Sequence, residues 1–466
     1  MAESEALSTS TVRDGPLQKS ATEERFTRMA ETLDAAGLGP ADYLYLPLKW
    51  RLQNPDIHQF SFGRTLRRLG KQALLNPLPV PRGLRSAPIL VATSYSVSAK
   101  LFRQVVARLE PAECTFYDLN EVPAQPAVSR LAARAGAVAA LGPALAFAMR
   151  ARSTLAKAGV DAVERDRAAL AAFTNRMHRQ TARAILDHVR PKCLVVGNGN
   201  RPLELALWAE AKARGVATVL LPYTEITLKP ARFLSLVRGD FDLVLPFSES
   251  SAAQIRRLKP TVEAVVVGFP VGFDPSSKDG AEENEEPVEP GAKDLVALYF
   301  AGTNFEADAA KLMREAFRGS SGLRFRVRLH PRSGDEGREM FDWLGPDDVS
   351  DPHRITLIDD IKASDAVLAI RSTAAVEAMI AGVPCVWLSP DSAREQLKFS
   401  TLRAQDLSPL EASTAAELRA ILERLRDDAG EHRRIIEHQW DRLRAVGYDR
   451  DYFKLVCAAL RQLIDV

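Results

Sequence analysis

The stretch RFRVRLHPRSG, residues 324–334, contains the first group in this chain suited to chemistry. Arg324, Arg326 and Arg328 alternate with apolar residues, and Pro331 follows His330 directly. Proline donates no backbone hydrogen bond and pushes the residue before it into extended backbone, so the strand is expected to stop with the imidazole at its mouth. A histidine between Arg328 and Arg332 suits a phosphate, whose oxygens take charge-assisted hydrogen bonds from ring N–H and guanidinium groups. A surface His-Pro turn is the competing reading.

A second group is AIRSTAAVEAMIAGVPCVWLS, in which the apolar run DAVLAI meets Arg371, Ser372 and Thr373 before apolar residues at helical spacing run to Gly382. Ser372 or Thr373 is expected to cap that helix and leave backbone N–H groups and the positive helix end facing an anion. Glu377 then points from the first turns toward whatever the phosphate carries. The bland alternative is a serine that only caps and an acid that only complements the helix dipole. A third, weaker signal is LYFAGTN, where Gly302, Thr303 and Asn304 form a small-residue turn that lets a phosphate or base approach the backbone.

Acids able to deprotonate an acceptor hydroxyl are fewer. Glu225 follows the strand-like ATVLLPY and is expected in a loop facing a cleft, with Tyr223 beside it; a loop surface acid is the alternative. Glu204 lies in the helix opened by GNGNRP, whose Asn198 and Asn200 face the acceptor side in this reading, and Asp118 after CTFY is the third candidate.

These groups sit at the ends of strand-like runs, and the runs alternate with helical patterns. Before residue 274 come PILVATS, CTFYDL, CLVVGNGN, ATVLLPY, LVLPF and AVVVGFP; after residue 294 come LVALYFAGTN, FRVRLHP, DAVLAI and PCVWLS. Near-continuous Val, Leu and Ile runs separated by helices mark parallel strands covered on both faces. The expected fold is therefore α/β, with two doubly wound Rossmann-like domains facing across a cleft, a helical insertion in the first and closing helices at the C-terminus. At 466 residues and 46% hydrophobic content, one ordinary core would not suffice. The expected division is a disordered leader over 1–22, a basic segment over 23–87, a first domain over 88–273 with its insertion at about 126–190, an acidic linker over 274–294, a second domain over 295–430 and closing helices over 431–466.

Sixty-two basic and 60 acidic residues give a net charge of +2, which excludes a global field for nucleic acid. The four cysteines show no CxxC spacing and read as buried thiols in a reducing cytoplasm, and no metal site is expected. The longest uncharged run, Ala135 to Met149, is 15 residues and short of the roughly 20 that a bilayer span needs. In the N-terminal segment, basic residues from Lys49 to Arg85 interleave with Trp50, Phe60 and Phe62, a pattern that reads as contact with an anionic glycan or membrane surface, or as a solvated helix face.

The combination resembles the nucleotide-binding half of a GT-B glycosyltransferase. His330-Pro331, with Ser372-Thr373 following 42 residues after the histidine and EAMIAGVPCV after that, is similar to the HP and S-S/T motifs of bacterial sialyltransferases and capsular-polysaccharide transferases. VVVGFPVGFD is similar to the segment that ends the first domain in related transferases and epimerases. The resemblance spans residues 190–400. It implies that His330 contacts the donor phosphate or cytidine, that Ser372 and Thr373 contact the phosphate, and that Glu377 lies near the sugar hydroxyls. It also implies a nucleotide-sugar donor, CMP-linked by preference with a UDP-linked donor as the other option, no further cofactor, and inverting, metal-independent transfer to a glycan or lipid-linked acceptor by a cytoplasmic or peripheral enzyme. Related HP patterns occur in enzymes that use CDP-glycerol. The acidic pair followed by glycine that supplies the base in sialyltransferases is missing here, which keeps open a UDP-N-acetylglucosamine 2-epimerase-like enzyme and a non-catalytic nucleotide-binding or assembly protein.

Overall fold

A computed structural model describes residues 84–93, 96–118, 127–197, 202–225, 241–271, 294–302, 306–330, 335–397 and 400–465, with short helical pieces between residues 28 and 67. Most of the 274–294 acidic stretch and most of the 49–85 basic segment lie outside the described residues.

The first half forms β1 (Ile89–Thr93), α1 (Ser96–Val106), β2 (Cys114–Asp118), α2 (Ala127–Lys157), α3 (Ala162–Val189), β3 (Cys193–Val196), α4 (Pro202–Lys212), β4 (Ala217–Leu220), β5 (Leu243–Val244), α5 (Glu249–Leu258) and β6 (Glu263–Ala264). Its six strands are all parallel in the order β2-β1-β3-β4-β5-β6. Side chains alternate across the sheet with the period of two that a strand imposes. Ile89, Val91, Cys193 and Val195 pack with Phe102 of α1, whereas Leu90, Ala92, Leu194 and Val196 pack with Ile185 of α3 and Leu207 of α4. Both faces are dry, which is why β1 and β3 read as continuous apolar runs.

The second half forms β7 (Leu295–Phe300), α6 (Glu306–Phe317), β8 (Leu323–Arg328), α7 (Asp335–Glu339), β9 (Val349–Ser350), α8 (Leu357–Lys362), β10 (Ala366–Ala369), α9 (Ala374–Ile380), β11 (Cys385–Leu388), α10 (Arg394–Leu397), α11 (Thr401–Ala404), β12 (Glu411–Ala412), α12 (Ala415–Asp427), α13 (Ala429–Ala445) and α14 (Tyr452–Asp465). Its strands are again parallel, in the order β9-β8-β7-β10-β11-β12. The strand order turns back between β1 and β3 in the first sheet and between β7 and β10 in the second. Two doubly wound Rossmann-like domains, the architecture expected from the sequence, are thus present.

The insertion is a helical hairpin of α2 and α3. Asp161 caps α3 by accepting the Val163 and Glu164 N–H groups at 2.8 and 3.3 Å. Its turn contains Gly159 at φ +73°, a left-handed conformation that glycine adopts without strain. At the other end of the chain, α14 crosses back onto the first domain. Lys192 Nζ donates to the Ile464 carbonyl at 2.8 Å, and Arg461 forms a bidentate pair with Glu113 at 2.8 and 3.0 Å. The crossing is tight at Gly268, φ +85°, where a Cβ would stand 2.5 Å from the Arg450 carbonyl oxygen; a glycine is required there. Phe247, Phe269, Tyr448 and Tyr452 stack edge to face around it, with ring centroids 5.3–5.9 Å apart. All four cysteines are free and buried.

Candidate functional site

Ligands of open parallel sheets collect outside the carboxyl ends of the strands where the order turns back. In the second sheet that point lies between β7 and β10, with β8 on the other side of β7. Leu368 pairs with Tyr299 and Phe300 with Arg328, and the Ala301 N–H donates to the Arg328 carbonyl at 3.0 Å. Continuing that register places Arg371, Gly302 and His330 in one row across three neighbouring strands, about 10 Å wide at ~4.8 Å per strand step. All three are half-buried. Sequence positions 302, 330 and 371 therefore meet at the crevice. Thr303, Asn304, Pro331 and Arg332 lie outside the described residues.

Arg371, Ser372 and Thr373 lead into α9. Ser372 Oγ accepts the Ala374 N–H at 3.2 Å, whereas the Thr373 side chain makes no capping bond, so Ser372 supplies the local turn. Gly382, φ +73°, ends the helix, with its N–H on the Met379 carbonyl and the Val383 N–H on that of Ala378. Glu377 lies on α9 and is half-buried. Burial pushes its carboxyl up to about 7, against the opposing pull of the Lys100 ammonium and the Arg328 guanidinium. Lys100 belongs to α1 of the first domain, so the two domains face each other at this carboxylate. Lys100 was not singled out in the sequence; a lysine on an amphipathic helix gives no signal of a contact made across a domain boundary.

Arg328 differs from expectation. Phe325 and Val327 of β8 face α6, so the arginines between them occupy the opposite face. There Asp360 of α8 pairs with both Arg326, at 3.2 Å, and Arg328, and it also accepts the Ser350 hydroxyl. Arg328 donates further to the Ile355 carbonyl at 3.0 Å, and Arg324 pairs with Asp348 at 2.8 Å. The basic alternation is a row of intramolecular ion pairs, and Arg328 also acts on Glu377 through its field. Charged side chains on a covered strand face require counter-charges, and LIDDIK is the sequence signal that supplied one.

The three acids expected to supply a base are all buried. Asp118 ends the edge strand β2 and accepts Arg103 Nη2 at 3.3 Å. Glu204, in the first turn of α4, is fully buried. Glu225 is 4% exposed, although a loop facing the cleft was expected. Its Oε1 accepts hydrogen bonds from the Ser248 hydroxyl, from Ser251 Oγ at 2.9 Å and from Gln405 Nε2 at 2.9 Å. Tyr448 donates to Gln405 Oε1 at 3.0 Å and lies beside the same carboxyl. Burial raises the Glu225 carboxyl above the usual carboxylate range, against the pull of these hydrogen bonds. The reason for the difference is that its partners come from α5 of the first domain, from the end of α11 in the second and from the crossing segment. Glu225 is a joint between domains. Tyr223 is half-buried in the same turn, and Asn198 and Asn200 lie outside the described residues.

At the switch point of the first sheet, the described residues pack closely. Thr93 and Ser98 hydroxyls bond at 2.8 Å, and a Cβ at Gly197 would come within 3.1 Å of Phe102 and 3.2 Å of Ser98.

No protein-family model matches the chain, and no curated protein does. Among solved structures, the chain is similar to the glycotransferase of kitacinnamycin, at 14% identity and TM-score 0.46 over 82% of this chain and 100% of that one. It is also similar to a UDP-GlcNAc 2-epimerase from Neisseria meningitidis bound to UDP-GlcNAc, at 12% identity and TM-score 0.47 over 80% and 99%. The wall teichoic acid polymerase TagF matches at 13% identity and TM-score 0.48 over 86% and 95%. At these values the architecture is read from this chain's own strand order, and its chemistry from its own residues.

Proposed function

We propose that the protein binds a nucleotide sugar at the turning point of the second sheet and transfers the sugar to a hydroxyl of a glycan or lipid-linked acceptor. The observation that carries this reading is the row of Arg371, Gly302 and His330 across three adjacent strand ends, with Glu377 one helical turn beyond it. One guanidinium, one imidazole and one glycine backbone match a single phosphate group. Glu377, poised near neutrality, is suited to accept hydrogen bonds from ribose hydroxyls. The pairing of Arg328 with Asp360 removes one cation from the set, which favours a nucleoside monophosphate-linked donor over a diphosphate one. The preference for cytidine rests on the resemblance of the His330-Pro331 and Ser372-Thr373 motifs alone. The basic 49–85 segment, as a peripheral contact, belongs to the same proposal.

A second reading is binding without transfer. The burial of Asp118, Glu204 and Glu225 favours it, because a general base has to meet the acceptor hydroxyl and all three carboxylates are withdrawn from the surface.

Calorimetric titration of CMP, CDP and UDP, with and without magnesium, tests the donor. We expect CMP to bind without metal and His330→Ala to weaken it by about tenfold or more, the loss of one charge-assisted hydrogen bond. Tighter binding of UDP than of either cytidine nucleotide rejects the monophosphate assignment, and unchanged affinity in His330→Ala rejects the phosphate role. Release of nucleotide from a bound nucleotide sugar only when an acceptor is supplied separates transfer from binding.

A further inference from the structure

The helix α2 presents two unlike faces. Ala137, Ala140, Ala144 and Ala148 are buried, and the last two pack on Ala169 and Phe173 of α3; their small side chains let the two helices approach closely. Away from that seam, Val138, Leu145 and Met149 are 60%, 41% and 44% exposed. Their spacing of seven and four residues keeps them on one side of the helix. Alanine, glycine and proline fill the surface between them, since no charged residue occurs from Ala135 to Met149. An uncharged strip about 22 Å long therefore faces outward. Elsewhere among the described residues, large exposed apolar side chains stand singly or as a near pair, as Met340, Ile355 and Ile358 do, and single ones are ordinary on any surface.

The charge around the strip says what covers it. Over its 31 residues α2 carries no aspartate or glutamate, while Arg130 and Arg134 precede the strip and Arg150, Arg152 and Lys157 follow it. Arg150 donates to the Ala36 carbonyl at 2.9 Å and Arg152 pairs with Asp166, so these two are anchored on the body of the protein. Lys157 is exposed. An apolar strip bracketed by cations and free of acids is complementary to the boundary between acyl chains and anionic headgroups. No helix among the described residues is long and apolar enough to cross a membrane, so the contact is made along the surface.

We propose that this face of α2 lies on an anionic lipid bilayer, with Val138, Leu145 and Met149 inserted at the headgroup boundary and the exposed Lys157 at the level of the lipid phosphates. The surface is separate from the crevice of the second sheet and does not depend on what that crevice binds.

Sedimentation of the full chain with vesicles tests it. Phosphatidylcholine vesicles containing phosphatidylglycerol are expected to carry the protein down, and pure phosphatidylcholine vesicles are not. Added salt is expected to release it. Val138→Glu, Leu145→Glu and Met149→Glu combined should lower the bound fraction by roughly tenfold or more, whereas Ile358→Glu on α8 leaves it unchanged. Leu145→Trp gives a second measurement that tolerates a weakened fold: its emission is expected to shift to the blue with anionic vesicles only. Equal sedimentation of the triple variant, or an unshifted Leu145→Trp, overturns the proposal. So does a chain that ignores vesicles but forms a dimer abolished by the triple substitution, which assigns the face to a second copy.

Discussion

Glu225 and Glu377 are both glutamates whose carboxyls burial pushes upward, and they differ in what surrounds them. Around Glu225 stand two serines, a glutamine and a tyrosine, all neutral, all drawn from the protein itself and already bonded to one another. Around Glu377 act two cations, Lys100 from one domain and Arg328 from the other, in a crevice where Arg371, Gly302 and His330 line up. The first arrangement favours the protonated form of the carboxyl and fixes a joint. The second leaves a carboxyl near the point where it changes charge, beside three strand ends that line up. Burial alone therefore does not mark a site; the sign and origin of the neighbours do.

The largest effect that would break this contrast is on ligand binding at Glu377. Glu377→Gln is expected to lower nucleotide-sugar affinity by about 10- to 100-fold, the loss of charge-assisted hydrogen bonds to ribose hydroxyls. The carboxylate is the accepting form, and with a value of about 7 it is half protonated at neutrality. Affinity of the native protein should therefore rise as pH increases from 6 to 8, roughly in step with ionisation, and the Gln variant should be flat. A native profile that is also flat would separate Glu377 from the ligand.

At Glu225 the expected effect is on stability. Glu225→Ala strands Ser248, Ser251 and Gln405 without their acceptor and should cost about 1–3 kcal/mol in denaturant unfolding. Glu225→Gln keeps an acceptor oxygen and should cost less. Because the folded protein holds this proton more tightly than the unfolded chain, it binds more protons than the unfolded state above the ordinary carboxylate range. The stabilisation is therefore full at acid pH and is lost as pH rises through the raised value. The Gln variant should lose that slope. A slope unchanged in the variant would mean that another group carries it.

How much of this was legible in the sequence depends on the distance over which each contact acts. Strands β1, β3, β10 and β11 were readable because parallel strands buried on both faces need unbroken apolar runs. The row of His330, Gly302 and Arg371 was readable because each follows a strand, and strand ends in this architecture converge. The fate of Arg328 was not, since its partner Asp360 lies 32 residues on and belongs to a different element. Glu225 misled for the same reason: Ser248 is 23 residues away and Gln405 is 180, and only the folded crossing brings them together. Local pattern reveals where strands stop, but not which charged groups the far side of a domain contributes.

The joint at Glu225 also bears on the proposed division of the chain. If residues 274–294 form a linker, limited proteolysis should cut there first. The two fragments should nevertheless elute together on gel filtration, because the Glu225 network, the Phe247–Phe269–Tyr448–Tyr452 cluster and the Arg461–Glu113 pair still join them. Fragments that separate at once would show the joint to be weak; first cleavage within residues 374–382 would put the division elsewhere.

The smallest effect concerns Lys100. Its ammonium favours the ionised form of Glu377 from across the domain boundary, so Lys100→Ala should move the Glu377 midpoint above about 7. Lys100 is exposed, and water and salt screen its field, so the shift should stay below about one pH unit and shrink further in high salt. The measurement is the pH profile of nucleotide affinity in the variant beside the native protein. A purely electrostatic neighbour displaces the profile toward alkaline pH and leaves its plateau in place, since fully ionised Glu377 binds as before. A lysine that itself touches the donor phosphate lowers the plateau at every pH instead. No displacement and no loss would leave Glu377 with neighbours from its own domain alone, and the contrast with Glu225 would then rest on Arg328 and the strand-end row.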